Sequence, residues 1–384
     1  MPTNGKILEA RYHRIMICKG FCTFRNVIIQ TSNNEKIATD IDLLAYKYNE
    51  TLDKYLVNTE CKSGNIEVFD RLFWLNGLST FLRSNKSTLI VNKITDEYID
   101  FAKILNIDIV SMNEIEDIEK SLNLEPAIWP GLSDYEIYDP CFSNIDTYGK
   151  IDGITNKTIN LIKDINKNCR LFIWKGFNFN SFNRQIRLLN ELVKENENAK
   201  NNEEQLTICQ LFLSILLISL SHSLIYICHE VFLRPKTERL EYLKQKLIYG
   251  EQDIEYMKKY IISMNKIVNT IIRKNTEQSL FSDNAIDIGA ALKEPDYCDS
   301  LCKLINVFLT KINQLISLPY AIEIRQFTHK EGNYSKTKIS DGNQAFELMK
   351  AFLIQNFNIA KEYFNPPDVN ILLKILNKRN ITTV

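Results

Sequence analysis

The spacing of apolar residues divides the chain into a mixed part and a helical part. In the first part, the predicted order is helix, three strands, helix, strand, helix and strand, ending near residue 125. The first helix is GKILEARYHRIMICKGF, which closes on Gly20. The strands are predicted in FRNVIIQT, TDIDLLAYKY, KYLVNTECK, STLIVNK and IDIVSMNEI, and the later helices in VFDRLFWLNGLSTFLRSN and TDEYIDFAKILN. This order predicts an α/β domain with a central mixed sheet flanked by helices.

The second part shows almost only helical periodicity. It follows EPAIWPGLSDYEIYDPCFSNIDTYGKIDG, a stretch rich in proline, glycine, serine and aspartate that is typical of a connection. The pattern therefore predicts an α/β domain over 1–125, a linker over 126–153 and a mostly α-helical domain over 154–384. One short strand is expected in CRLFIWKG. The predicted helices cover 181–200, 203–232, 236–248, 252–274, 295–317, 341–360 and 367–379.

The longest uncharged run, 208–228, allows two interpretations. Its length is sufficient to cross a bilayer. Frequent serines, together with Gln210 and His222, favour a helix buried among other helices, and this is the interpretation we adopt. His222 and His229 lie seven residues apart on this helix, and we interpret them as core or interface histidines rather than ligands.

Composition and charge limit the class of protein. The chain of 384 residues is 45% hydrophobic and 24% charged, which is typical of a globular protein. Lysine plus arginine equals aspartate plus glutamate at 47 each, so a globally basic, histone-like binder is excluded. Residues 1–30 are locally basic, whereas 93–125 hold nine acids and three lysines. A polyanionic partner is expected to contact the first stretch and avoid the second.

The cysteines and the N-terminal residues favour a cytoplasmic protein. Nine cysteines without a framework spacing fit reduced thiols, and the charged N-terminal stretch does not resemble a secretory signal. Two pairs, Cys18/Cys22 and Cys298/Cys302, are spaced to share a helix face. We interpret both pairs as core residues, because no further ligands lie near them in the sequence.

Two acids and a lysine are expected to meet at one end of the sheet. The turn NETLD separates two strands, and a hairpin centred on residue 51 places Asp42 opposite Glu60. Side chains alternate along a strand, so Lys62 shares a face with Glu60. Neighbouring carboxylates repel unless a cation lies between them, and their oxygens suit Mg²⁺ or Mn²⁺. A divalent ion next to an ammonium is an arrangement that supports phosphodiester hydrolysis.

These strands resemble the PD-(D/E)xK nuclease superfamily, which has the restriction-endonuclease-like fold. The matching motifs are TDIDLLA and ECKSG, with Ile-Asp in place of the nominal Pro-Asp, and the resemblance covers residues 5 to about 115. It implies that Asp42, Glu60 and the backbone carbonyl of Cys61 bind the metal ion, while Lys62 assists the attacking water. It also implies that Glu9, in the first helix, completes the metal shell.

Other interpretations of these residues remain open. Arg11, Arg14 and Lys19 are candidate phosphate contacts, or simply a solvated helix face. Asp42, Glu60 and Lys62 can equally form a structural ion pair, or belong to a degenerate nuclease fold that binds nucleic acid or protein without cutting it.

A second alternative site lies in the helical part. The segment IEIRQFTHKEG places Arg325 and His329 four residues apart and faintly resembles the Arg/His motif of HEPN ribonucleases, although the spacing is one residue shorter than usual. Under this alternative, SDGNQAFELMKAFLIQNF forms their closing helix. The simpler interpretation is a basic helix end that precedes Gly332.

The sequence thus predicts a cytoplasmic, Mg²⁺- or Mn²⁺-dependent endonuclease, with DNA as the expected substrate. The helical domain is expected to form a homo-oligomer or to bind a partner such as a separate ATPase or sensor, since no GxxxxGK(S/T) motif is present. By analogy with similar fusions, a role in prokaryotic anti-phage defence or restriction is expected. The alternatives are a catalytically silent adaptor and a ribonuclease that uses the helical domain.

Overall fold

A five-stranded mixed sheet forms the centre of the N-terminal part. The computed structural model describes residues 4–30, 36–64, 66–124, 135–197, 199–252, 254–275, 293–327 and 334–377. The strands lie side by side in chain order, β1 to β3 antiparallel and β3 to β5 parallel. They are β1 (Cys22–Gln30), β2 (Ile37–Tyr48), β3 (Lys54–Cys61), β4 (Lys86–Val91) and β5 (Ile107–Ser111).

The register of the β2–β3 hairpin agrees with the expected one. Leu44 pairs with Asn58 and Tyr46 with Leu56, as a hairpin centred on residue 51 requires. Asn49 explains why the chain turns here, because its side chain accepts hydrogen bonds from the backbone N–H groups of two turn residues. The turn therefore sets which residues of the two strands meet at the far end of the hairpin.

Four helices accompany the strands, and one of them was not expected. They are α1 (Asn4–Cys18), α2 (Val68–Leu82), α3 (Asp96–Ile104) and α4 (Met112–Ser121). The strand predicted in IDIVSMNEI ends at Ser111. There the Ser111 and Glu114 side chains form a reciprocal capping box that starts α4. This cap decides the end of the strand, although apolar residues continue beyond it.

The rest of the chain is helical, with 3₁₀ turns at Ile145–Lys150, Ala199–Asn201 and Lys361–Phe364. The helices are α5 (Tyr135–Ser143), α6 (Asn156–Lys175), α7 (Phe179–Glu195), α8 (Glu203–Phe232), α9 (Arg239–Tyr249), α10 (Ile254–Asn275), α11 (Cys298–Leu309), α12 (Ile312–Phe327), α13 (Lys336–Phe357) and α14 (Val369–Asn377).

Two predictions of helices and strands in this region are corrected. The expected strand in CRLFIWKG is the last part of α6, whose buried residues recur at helical spacing from Ile159 to Ile173. The helix predicted over 295–317 is two helices, α11 and α12, which meet at 106°. The expected linker contains α5 and a 3₁₀ turn.

The Cys18/Cys22 pair does not share a helix face. Cys18 ends α1, whereas Cys22 begins β1. Cys298 and Cys302 do both lie on α11. All nine cysteines are free, and eight of them are buried.

The sheet and the helices share an apolar core. One face of the sheet packs against α1 and α4 through a small cluster that includes Leu8, Leu43 and Ile115. On the other face, a larger cluster runs without interruption from sheet residues such as Leu44 to helix residues such as Leu216. The division of the chain into an α/β domain, a linker and a helical domain, with boundaries near residues 125 and 154, stays a prediction.

The apolar helix α8 lies inside this larger core. Among the described residues, α8 is the one unbroken helix that is long and apolar enough to cross a membrane. Of its most apolar 18-residue stretch, 89% is buried within the protein. His222 on α8 is fully buried, and its ring stacks on Phe177. A hydrogen bond of 2.6 Å joins its Nδ1 to the Tyr48 hydroxyl. It is therefore a core histidine. His229 lies 3.7 Å from Asp53 at the surface.

A buried polar cluster joins β1 to α12 at the edge of the sheet. Glu323 accepts hydrogen bonds from the Thr23 backbone N–H at 2.8 Å and from its hydroxyl at 2.9 Å. The same hydroxyl lies 2.8 Å from His13 Nδ1. Burial raises the pKa of Glu323 to about 7, and burial also holds the pKa of His13 well below its usual value. The contact therefore tolerates a protonated carboxyl and a neutral imidazole.

Glu323→Gln should remove part of the loss of stability that accompanies a rise in pH from about 5 to 8. A carboxyl whose pKa is higher in the folded state stabilises the fold when protonated, and this contribution is lost as pH rises from about 4.5 to 7. Relative to the variant, the wild type should lose on the order of 2–3 kcal/mol of unfolding free energy between pH 5 and 8. Urea titrations across that range measure the difference. If stability changes with pH in the same way in the two proteins, the pKa of Glu323 is not raised in the folded state, and the prediction is wrong.

Candidate active site

Asp42 and Glu60 lie where the β2–β3 ladder ends. The last backbone pair is Leu43 with Thr59. Beyond it, the Cys61 backbone N–H donates to Asp42 Oδ2 at 2.6 Å, so a side chain replaces the backbone partner. On its other side, the Lys62 N–H donates to the Ile90 carbonyl at 2.9 Å. The end of β3 is thus held by both neighbouring strands, which limits the movement of the site.

Lys62 bridges the two carboxylates. Its Nζ lies 2.6 Å from Glu60 Oε1 and 3.3 Å from Asp42 Oδ2. Glu60 and Asp42 are 3% and 6% exposed, whereas the Lys62 side chain reaches solvent. The structure therefore brings together the three residues predicted as catalytic, on one side of the sheet end.

Burial shapes the charges of this group. Burial raises the pKa of Glu60 to about 7, with a further contribution from Asp42, and it also raises the pKa of Asp42. For Lys62, burial lowers the pKa, but the two carboxylates raise it by more. One ammonium therefore does not fully offset the two buried acids, and a second cation at this position would be favoured.

Glu9 belongs to the same electrostatic neighbourhood but not to a preformed ligand cluster. Burial, followed by the charge of Asp42, raises its pKa to about 8. Within the described ranges, no three histidine, cysteine, aspartate or glutamate side chains are placed to hold a metal ion together. The donors at hand are thus the two carboxylates. The roles of Glu9 and of the Cys61 carbonyl as ligands stay predictions.

Arg71 on α2 is a site residue that the sequence did not single out. Its NH1 lies 3.7 Å from Glu60 Oε1, and its side chain is 42% exposed. The available signal was its position in the first turns of the helix that directly follows ECKSG. A second cation, more exposed than the carboxylates, therefore lies beside Glu60.

The predicted phosphate contacts of the first helix have other surroundings. The Arg11 guanidinium donates to both Glu119 oxygens: Nε donates to Oε1 at 3.0 Å, and NH2 donates to Oε2 at 2.6 Å. Arg14 is buried at 5% exposure, and Lys19 is exposed. A phosphate contact from Arg11 would require Glu119 to be displaced. Lys19 precedes β1 at the end where Cys22 pairs with Tyr46, which is the end of the β1–β2 ladder away from Asp42.

The alternative pair in the helical part is only half described. Arg325 on α12 lies 3.4 Å from Glu347 and against the Phe346 ring. His329 lies outside the described residues. The segment predicted as the closing helix forms the larger part of α13.

Comparisons with known proteins identify no relative: no protein family, curated protein or solved structure matches the chain. An assignment of function therefore depends on the geometry of the sheet end and on its chemistry.

Millimolar Mg²⁺ or Mn²⁺ should raise the melting temperature by a few °C, on the order expected for a weak site that forms only in the folded state. Glu60→Gln should abolish most of this shift, because it removes one of the two buried carboxylates. Scanning fluorimetry with metal ion and with EDTA measures it. The matched control is Glu191→Gln, which makes the same change at an exposed glutamate of α7. An equal shift in Glu60→Gln and wild type would place the ion elsewhere.

Proposed function

We propose that the protein is a metal-dependent nuclease with a restriction-endonuclease-like domain, and that its substrate is DNA. The observation that carries the proposal is the position of Lys62 Nζ between the carboxylates of Asp42 and Glu60 at the end of β2 and β3. Two acids and one lysine at this position are the set that the family motif requires. The mixed sheet, with α1 on one face, supports the same assignment.

The carboxylate oxygens fit a hard divalent ion. Both are acceptor groups with raised pKa values, so a cation between them relieves their repulsion. Asp42, Glu60 and the Cys61 carbonyl would hold the ion, and Lys62 Nζ would shift toward the solvent side of the pair. The ion would supply Lewis acidity to a phosphoryl oxygen and lower the pKa of a bound water.

The side chains then have separate tasks in hydrolysis. Asp42 is held through Oδ2, which accepts a hydrogen bond from the Cys61 N–H. Lys62 is able to orient the attacking water and to offset the charge that develops on the phosphorane oxygens. Arg71, which is half exposed beside Glu60, is placed to neutralise a non-bridging phosphate oxygen. Together these groups favour attack on a phosphodiester.

Asp42→Asn and Lys62→Met should each lower Mg²⁺- or Mn²⁺-dependent cleavage by at least about a hundredfold, because one loses a charged metal ligand and the other a charge-stabilising donor. Plasmid nicking and labelled-oligonucleotide cleavage measure the rate, and circular dichroism confirms that the variants fold. The control variant Glu191→Gln should cleave at the wild-type rate, because this exposed residue of α7 has no part in the proposed site.

Three results would contradict the proposal. Wild-type cleavage rates in both folded variants would remove the site. Metal-independent RNA cleavage that survives Asp42→Asn would favour the alternative at Arg325. Nucleic-acid binding without cleavage under either metal would favour a silent adaptor.

A further inference from the structure

A basic groove runs beside the candidate active site. It has a volume of about 470 Å³ and lies between the edge strand β1 and helix α6, with α5 and the first turn of α1 at its sides. Its lining includes Lys6, Asn26, Asp139, Lys167, Arg170 and Trp174. The groove is therefore built from both parts of the chain.

The charge of the groove comes mainly from one face of α6. Lys163, Lys167 and Arg170 follow one another at spacings of four and three, so they lie in a row along the helix. Lys6 adds a fourth cation, and among the lining residues the one acid is Asp139. Lys163 is also within 2.5 Å of the exposed Asp146. The groove thus carries an excess of positive charge in a row.

The groove begins next to the carboxylates of the candidate active site. On the β1–β2 ladder, Arg25 pairs with Leu43 and Val27 pairs with Ile41. Asn26 and Asp42 lie between these two pairs, so the register places them opposite each other. Asp139, which also lines the groove, lies 3.7 Å from the buried Arg25. Asp139 and Asp42 both raise the pKa of Glu9, so Glu9 lies within electrostatic range of a groove residue and of a site residue.

Arg170 is held in place by the strand that it faces. Its NH1 donates to the Asn26 carbonyl at 3.3 Å, and its Nε donates to Asn166 Oδ1 at 3.1 Å. The contact to Asn26 ties α6 to β1 at the wall of the groove. Lys163 and Lys167 are exposed and can adapt to a ligand.

Trp174 closes the row and adds a different kind of contact. Its ring packs near Phe81 at 5.9 Å, and the Lys175 ammonium lies over it. Among the described residues, its buried indole N–H has no hydrogen-bond partner. Aromatic side chains beside a positively charged groove are typical of sites that bind single-stranded nucleic acid.

We infer that this groove binds one single strand of DNA and leads its phosphodiester backbone to the carboxylates at the end of β2 and β3. The identity of the ligand rests on the proposed function. A volume of about 470 Å³ lies in the range of sites that enclose one small molecule, which favours entry of one strand, a nucleotide at a time, over a duplex. The spaced cations of α6 contact successive phosphates, which position the strand without reading its sequence.

The test measures binding without cleavage, so it does not depend on catalysis. Fluorescence polarisation in EDTA compares a short fluorescein-labelled single-stranded DNA with the duplex of the same sequence. The groove variant is Lys163→Glu/Lys167→Glu. The control, Lys194→Glu/Lys303→Glu, makes the same change in net charge at two exposed helical lysines that do not line the groove.

The groove variant should weaken binding of the single strand by at least about tenfold and reduce the slope of log Kd against log salt by about 1.4, as expected for two lost phosphate contacts. The control should bind as the wild type does, and the duplex should bind more weakly than the single strand. Equal binding by groove variant and wild type, tighter binding of the duplex, or no binding of DNA at all would overturn the inference.

Cleavage data separate this inference from the proposed function. If the groove variant loses binding while the wild type cuts nothing under either metal, the groove is supported and the nuclease proposal fails. If Asp42→Asn abolishes cleavage while binding ignores the groove lysines, the nuclease proposal stands and the groove inference fails.

Discussion

The burial of Asp42 and Glu60 around a single ammonium is the constraint on which the rest of the site depends. Moving carboxylates out of water is unfavourable, and an apolar pair of similar volume at this position would commonly be more stable. Here one lysine is shared between two acids, and Glu9 adds a third buried carboxyl nearby. Arg71 also lies near Glu60, yet the pKa values of both carboxyls stay raised, so the nearby cations do not fully offset the cost of burial. Perturbed pKa values with specific charged partners are common at functional sites.

The same constraint explains why the hairpin was predictable and other features were not. Register follows from the turn at Asn49 and from strand alternation, both of which are local, so the position of Glu60 relative to Asp42 could be read from the sequence. Two predictions from local patterns were wrong. The apolar residues after Ile107 predicted a strand that continues past Ser111, where a capping box starts a helix instead. The segment CRLFIW has a strand-like pattern, although it forms the last part of α6. Arg71 was missed because its role depends on how α2 packs.

The groove could not have been predicted, because its walls are far apart in the sequence. Arg170 donates to the Asn26 carbonyl, which lies 144 residues away in the sequence. The periodicity of apolar residues does not predict a contact between such distant residues. What the sequence did contain was the cationic spacing of Lys163, Lys167 and Arg170, which by itself is typical of any solvated helix face. Packing against β1 turns that face into one side of a cavity.

The edge of the sheet shows why the helical part is more than an appendage. An edge strand exposes unpaired backbone groups, which proteins cover or blunt. On β1 this cover is provided by α6 and α12, and Glu323 of α12 accepts from the Thr23 backbone N–H. If the chain ended near residue 125, the apolar sheet face that holds Leu44 would lose its packing and β1 its cover. The helices thus complete the core that positions Asp42, and in the proposed mechanism they also supply one wall of the path to it.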